Sequence, residues 1–257
     1  MIKNLKYQQG FTLIEVAVVF VILAALLAAS IYPLTAQRES AHITQSKIQL
    51  AEIQEAIYGF AIAQGRIPCP AEPGNGGVAE PINTVTGCDS DHGFIPSATL
   101  GISGSVNCDG LLLDAWGQPY RYSVTGSDST GSGNSDFTVS GEINSASLPT
   151  LNPNLKICRN LDVGCPASTG TNVITENAVA VIYSLGKPRS TSNAQEDENA
   201  GEATIASTCG LAAYDIANDN NFYAAERREI VGQEFDDILV WISPAILYAK
   251  LLQANRI

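Results

Sequence analysis

Basic residues are scarce in this chain of 257 residues. Lysine and arginine number 14 against 26 aspartates and glutamates, so the formal net charge is −12. Binding to nucleic-acid phosphates needs clustered basic side chains, and we therefore expect no nucleic acid as a partner. The chain has only two histidines and contains no C-x-x-C, no phosphate-cradling glycine loop and no G-x-S-x-G. These absences argue against a zinc site and against an enzyme.

The six cysteines all follow an apolar N-terminal segment. An even number of cysteines in a loop-rich region beyond such a segment predicts disulfides in an oxidising compartment. Six cysteines allow 15 connectivities, and the sequence leaves the choice among them open. Separation along the chain favours, in this order, the pairs Cys158–Cys165, Cys69–Cys88 and, by elimination, Cys108–Cys209.

The apolar N-terminal segment is long enough to cross a membrane. Residues 11–34 comprise about 24 residues, which at ~1.5 Å each match a hydrocarbon core of ~30 Å. The leader, residues 1–10, carries Lys3 and Lys6, so it should stay in the cytoplasm while the bulk of the chain lies outside. An ordinary secretory signal peptide, cut after residues 28–30, is the alternative.

An acidic residue, Glu15, interrupts this apolar run, where insertion costs about 2.5–3.5 kcal/mol. Cleavage between Gly10 and Phe11 would create a free amine on Phe11, four residues before Glu15 and on the same helix face. The amine would then pair with Glu15 in the same subunit or in a neighbouring one. The second arrangement would make Glu15 a register device in a helical bundle.

The string GFTLIE, residues 10–15, resembles the processing site of type IV prepilins and type II secretion pseudopilins. The resemblance covers residues 1–40. It implies cleavage after Gly10 by an inner-membrane prepilin peptidase, methylation of the Phe11 amine, and an assembly role for Glu15. It also implies three kinds of partner, namely other pilin or pseudopilin subunits, the peptidase and the inner-membrane assembly platform.

The helical pattern continues beyond the membrane segment. Apolar residues recur at three- and four-residue steps over residues 37–64, which predicts an amphipathic helix packed on a domain. The members of this stripe are Ile43, Leu50, Ile53, Ile57, Phe60 and Ala61. Pro33 predicts a bend or local melting of the helix. Gly65 and Pro68 predict its end.

The remaining chain predicts a small sheet. Residues 65–118 are rich in Gly, Pro, Asn and Asp, so we expect extended loops there, with short helices at most. A terminal helix over 245–254 should begin at Ser243 and Pro244. Strands are predicted at 120–124, 136–140, 178–184 and 236–242. The expected fold class is α+β, with a long N-terminal helix packed on a small antiparallel sheet and loops stapled by disulfides.

The chain therefore divides into a leader (1–10), a membrane and assembly half of the helix (11–36) and a head (37–257). Within the head, the string DAWGQPY resembles the Asp-x-Trp-Gly-x-Pro-Tyr segment of major pseudopilins. We interpret Asp114 and Trp116 in that string, together with Gly117, as residues that fix a loop rather than bind a ligand. The C-terminal string FDDILVWISPAILYAKL resembles the ending of a subgroup of large prepilin-like proteins.

A run of carboxylates offers weak calcium candidates, Glu196, Asp197 and Glu198. The resemblance supports calcium, since major pseudopilins often hold it in a loop beyond their first strands. The spacing matches no EF-hand, however, and a solvated loop is the favoured interpretation. We therefore expect no cofactor, with calcium as the exception to test.

Two functions of different classes remain. The favoured one is a structural subunit of a type IV pilus or a type II secretion pseudopilus, and the long loops and disulfides favour a minor one. It would start in the bacterial inner membrane with its head in the periplasm. The alternative is a membrane-anchored exported protein whose head binds or hydrolyses a ligand and enters no filament. The sequence leaves open a surface pilus, a secretion pseudopilus or a DNA-uptake pilus.

Overall fold

A computed structural model describes most of the chain. The described residues are 12–81, 85–145, 150–159, 165, 172–188, 199–201, 203–229 and 234–257, and the side chains of 28–35 and 145 lie outside the description. The chain forms two compact units, Met1–His42 and Ile43–Ile257. The second unit contains all six cysteines.

The longest element is the helix α1, Leu13–Gln64. Its backbone stays helical through position 33, so the local melting predicted at Pro33 is wrong. The helix ends where the sequence predicted. Gly65 has a φ of 68°, a left-handed conformation that favours glycine, and its N–H donates to the carbonyl of Ala61 at 2.8 Å.

The apolar stripe of α1 is largely confirmed by burial. Leu50, Ile53, Ile57 and Ala61 are fully buried in the main core of the head. Ile43 and Phe60, which were assigned to the same stripe, are only half-buried. Tyr58 and Ser46 are also buried on this part of the helix, although the stripe did not include them.

The described strands of the head are short. They are β1 His92–Phe94, β2 Arg121–Val124, β3 Leu155–Cys158, β4 Val173–Ala178, β5 Ala180–Ser184, β6 Ala203–Ile205, β7 Tyr214–Ile216, β8 Asn221–Tyr223 and β9 Ile238–Ile242. The shorter helices include α2 Ser97–Leu100, α3 Glu142–Ser145 and α4 Pro244–Gln253. Strands β1, β2, β5 and β9 form a four-stranded antiparallel sheet in that order. The predicted α+β class is confirmed.

Both faces of the four-stranded sheet are covered. Side chains alternate along a strand, so Tyr122 and Ile182 face the core that contains α1. Val181 and Tyr183 face the other way, into a second core with residues of β3 and β8. Strand β5 is consequently buried along its whole length.

A second layer of strands packs on the four-stranded sheet and completes the second core. This layer was not predicted from the sequence. We call β3, β4, β6, β7 and β8 the cover layer. Strand β3 lies between β4 and β8, antiparallel to the first and parallel to the second, while β6 and β7 form a separate antiparallel pair. Three of these strands have only three residues, too few for a clear alternation. The predicted set of four strands was therefore incomplete.

The strand predicted at residues 136–140 is wrong, because this segment forms turns. Its polar groups bond to loops instead of to a strand partner. Asp136 Oδ2 accepts from the Ser129 N–H at 2.9 Å, and the Phe137 carbonyl accepts from the Ile67 N–H at 2.8 Å. The Phe137 side chain is fully buried in the main core. Residues 135–139 are all buried, as expected of a loop packed into the head and not of a strand with alternating faces.

The loops predicted for residues 65–118 are largely confirmed, and they include one short helix, α2; the exception is the short strand β1. The predicted terminal helix is also confirmed as α4. Ser243 is its N-cap residue and Pro244 its first residue, although the Ser243 side chain makes no capping bond. Helix α4 buries Leu247, Tyr248 and Leu251. Just beyond it, Arg256 donates hydrogen bonds to the carbonyls of residues 62 and 63, which lie in the last turn of α1.

Candidate functional site

The start of α1 carries the residues to which the sequence assigned a function. Gly10 and Phe11 lie outside the described residues. Thr12 precedes the first helical residue, and Glu15 lies in the first turn. The Thr12 N–H and hydroxyl each donate to Glu15 Oε2 at 3.4 Å, and the Glu15 N–H donates to Thr12 Oγ1 at 3.4 Å. This reciprocal arrangement is a capping box.

This capping box was not predicted from the sequence, although Thr-x-x-Glu before an apolar run is its signature. It provides Glu15 with a partner in its own chain and places a carboxylate near the positive end of the helix dipole. The pairing of Glu15 with the Phe11 amine stays a prediction, because Phe11 is outside the described residues.

Beyond Glu15, the helix is apolar on every side. Large apolar side chains from Leu13 to Leu27 are exposed, with Leu13 at 89% and Phe20 at 66%. A helix of this kind needs apolar surroundings in a membrane or against other chains. Among the helices that the structure describes, none has both the length and the apolarity to cross a membrane.

A family model for the prokaryotic N-terminal methylation motif matches residues 5–31. The chain carries this methylation motif. The motif is the hallmark of type IV pilin and pseudopilin precursors, and it implies processing by a prepilin peptidase and assembly with other pilin subunits. No curated protein and no solved structure matches the chain significantly.

In the head, the DAWGQPY string has the fixing role that we assigned to it. Asp114 Oδ1 accepts from the N–H groups of Trp116 and Gln118, both at 2.9 Å. Asp114 Oδ2 accepts from the Ser184 hydroxyl, which ties the loop to the end of β5. Burial raises the pKa of Asp114, and these hydrogen bonds oppose the shift. A carboxylate satisfied in this way holds the loop and has no oxygen directed to a ligand.

All six cysteines form disulfides, in the three pairs that chain separation favoured: Cys69–Cys88, Cys108–Cys209 and Cys158–Cys165. The Cys69–Cys88 and Cys158–Cys165 disulfides close local loops, since their cysteines are 19 and 7 positions apart. The middle pair spans 101 positions and joins the loop before β2 to the loop between β6 and β7.

The Cys108–Cys209 disulfide lies beside a buried carboxylate, Asp109. The three residues together resemble a metal-ligand cluster. The two sulfurs are bonded to each other, however, so neither is a thiolate. The two Asp109 oxygens accept four hydrogen bonds of 2.6–2.8 Å, from the Thr208 N–H and the hydroxyls of Thr208, Ser207 and Tyr214. The cluster is a structural staple. The calcium candidates Glu196, Asp197 and Glu198 lie outside the described residues.

The same four bonds explain the electrostatics of Asp109. Burial would raise the pKa of this carboxyl, but the hydrogen bonds from Thr208, Ser207 and Tyr214 favour the charged form and hold the pKa below its ordinary value. The carboxylate therefore stays ionised and anchors the loop at any neutral pH.

One contact in the head resembles a nucleophile and its base. His92 Nδ1 lies 2.9 Å from Ser123 Oγ, and burial lowers the pKa of His92 while Asp219 opposes the shift. Ser123 is fully buried between the sheet and the cover layer. A substrate would have to displace the cover layer to reach its hydroxyl, so the pair is better placed to satisfy buried polar groups than to catalyse.

Proposed function

We propose that the chain is a structural subunit, a minor pilin or pseudopilin, of a type IV pilus or a type II secretion pseudopilus. In this proposal it is cleaved after Gly10, methylated at Phe11 and assembled through the apolar half of α1. It catalyses no reaction, and it starts in the bacterial inner membrane with its head in the periplasm. Its partners are other subunits, the prepilin peptidase and the assembly platform.

The methylation motif over residues 5–31 carries this proposal. Two structural features support it. The segment of α1 from Leu13 to Leu27 exposes apolar side chains and needs apolar surroundings. The second half of the same helix packs on an antiparallel sheet, as the resemblance to pilins implies. The large head, with its cover layer and three disulfides, favours a minor subunit. A filament of closely packed major subunits would have to accommodate this bulk at every position.

Processing is tested by mass spectrometry of the N-terminus in cells with and without a prepilin peptidase. We expect a mature chain that begins at methylated Phe11 only when the peptidase is present, and Gly10→Ala should block the cut. A mature N-terminus near residue 31 would instead indicate an ordinary signal peptide and contradict the proposal.

Assembly is tested with Glu15→Ala and Glu15→Gln in sheared filaments, with Glu52→Gln, an exposed site further along α1, as the control. We expect both Glu15 variants to insert into the membrane and to enter filaments poorly, and Glu52→Gln to enter normally. Normal incorporation of the Glu15 variants would remove the assembly role, and absence of the wild-type chain from filaments would overturn the structural function.

A further inference from the structure

The guanidinium of Arg121 is enclosed between the four-stranded sheet and the cover layer. The residue lies in β2 and is 3% exposed. Its partners on the neighbouring strands are Phe94 in β1 and Tyr183 in β5. Directly paired residues point to the same face of a sheet, and Tyr183 packs in the second core, beneath the cover layer. Arg121 therefore carries its charge into the space between the two layers.

Two aromatic rings lie beside the Arg121 side chain in this space. Its Cζ is 4.6 Å from the centroid of the Phe94 ring and 5.7 Å from that of Tyr214, which belongs to β7 of the cover layer. The two rings meet edge to face, with centroids 5.3 Å apart. Rings attract a cation but do not replace hydrogen-bond acceptors. Nε and Nη1 of Arg121 are therefore two buried donors without an acceptor among the described residues.

Two carboxylates act on Arg121 from nearby, but neither is bonded to it. Asp114 already accepts the three hydrogen bonds described above. Asp215 follows Tyr214 in β7, so its side chain points to the opposite face of that strand, and it is exposed. Burial lowers the pKa of Arg121 to about 10, although both carboxylates favour its charged form. At neutral pH the head thus buries a positive charge that these two carboxylates do not fully compensate.

We infer that the Arg121 guanidinium binds a small inorganic anion, chloride in ordinary buffers, between the sheet and β7. A water molecule would satisfy the N–H donors but leave the charge uncompensated, whereas an anion does both. The enclosure of Arg121 excludes bulky anions and side chains of other proteins. A bound anion would hold β7 on the sheet, so the stability of the cover layer becomes anion-dependent. The site lies in the head alone and does not depend on the proposed role in a filament.

The first test measures thermal unfolding of the full chain in detergent, with sodium chloride replacing sodium gluconate at constant ionic strength. Above the dissociation constant, each tenfold rise in chloride should raise the Tm of the wild type by about 3–5 °C. Arg121→Met should abolish this response. Arg159→Met removes an exposed arginine of the head and should retain it. A wild-type Tm that is the same in both salts, or a response that Arg121→Met retains, would overturn the inference and leave water as the partner.

The second test uses the wild type alone, so it does not depend on the folding of a variant. Amide hydrogen exchange of the full chain in detergent is followed by mass spectrometry in chloride and in gluconate. Chloride should slow exchange in β6 and β7 at least about threefold, because the anion stabilises the closed arrangement of that pair on the sheet. Exchange in β9, at the opposite edge of the sheet, should stay unchanged. Equal slowing in β9, or no slowing in β7, would contradict a site at Arg121.

Discussion

Tyr214 Oη donates a hydrogen bond of 2.7 Å to Asp109 Oδ2, although the two residues are 105 positions apart in the chain. The bond joins β7 of the cover layer to the loop that precedes β2. The Tyr214 ring also lies over the guanidinium of Arg121, at 5.7 Å from the centroid, and Arg121 belongs to β2 of the four-stranded sheet. One tyrosine therefore connects the cover layer to two separate parts of the head.

The first prediction concerns the Asp109 carboxylate. Asp109→Asn leaves one acceptor oxygen and directs an amide N–H₂ at hydroxyl and N–H donors, so we expect a loss of about 1–3 kcal/mol in the free energy of unfolding at pH 7. Thermal unfolding of the full chain in detergent would measure it, with the exposed Asp89→Asn as the control. A loss no greater than that of the control would contradict the role of Asp109.

The pH dependence of Asp109 follows from its lowered pKa. A carboxyl whose pKa is lower in the folded than in the unfolded state stabilises the fold above the unfolded value, about 3.9, and loses that contribution as the pH falls below it. The difference in stability between wild type and Asp109→Asn should therefore be constant from pH 5 to 7 and narrow below about pH 4. A constant difference down to pH 2 would show that the carboxyl is not ionised in the fold.

The second prediction concerns His92, whose pKa is lowered by burial. The unfolded state then binds a proton more readily than the folded state, so stability should fall as the pH drops through about 6.5 towards the folded pKa, by at most about 1.4 kcal/mol per pH unit. His92→Gln should flatten this slope in unfolding curves from pH 5 to 8. His42→Gln on α1 is the control. If neither variant changes the slope of stability against pH, the slope does not come from His92.

The third prediction compares two disulfides. The constraint on the unfolded chain grows with the size of the closed loop, to about 4.7 kcal/mol for the Cys108–Cys209 separation of 101 and about 2.4 kcal/mol for the Cys158–Cys165 separation of 7. The double variant Cys108→Ala/Cys209→Ala should thus unfold at a lower denaturant concentration than Cys158→Ala/Cys165→Ala. The reverse order would indicate that native contacts, rather than chain entropy, decide the contribution of each bond.

The fourth prediction concerns the buried guanidinium of Arg121. The residue is 3% exposed, and its Nε and Nη1 have no hydrogen-bond partner among the described residues. The buried guanidinium is stabilised by stacking on two aromatic rings. Its central carbon lies 4.6 Å from the centroid of the Phe94 ring and 5.7 Å from that of the Tyr214 ring. Burial lowers its pKa to about 10, so it stays charged at neutral pH.

Replacing Arg121 with a residue that buries an ammonium group should therefore lower the stability of the head more than replacing it with an apolar residue. We expect Arg121→Lys to destabilise the head more than Arg121→Met, because lysine is more strongly hydrated and cannot stack as a plane on two rings. Chemical denaturation of both variants would decide the order. A less stable Arg121→Met would mean that the charge itself contributes to the fold.

Local patterns in the sequence accounted for the long elements. The apolar period, the abundance of helix-forming residues and the terminal Gly65 predicted α1, and Ser243 with Pro244 predicted α4. The alternation Tyr120, Tyr122, Val124 located β2. The processing residues were likewise local, since six consecutive residues carry the resemblance that the methylation motif bears out.

The sequence by itself determined the methylation motif, the two longer helices and the central strands, because each depends on neighbours a few positions apart. Only the tertiary structure decided the cover layer and the turn at 136–140. Strands of three residues have no readable period, and the bond between Tyr214 and Asp109 joins residues that are 105 positions apart in the chain. Long-range packing stabilises these parts, and long-range packing is the information that a local pattern does not contain.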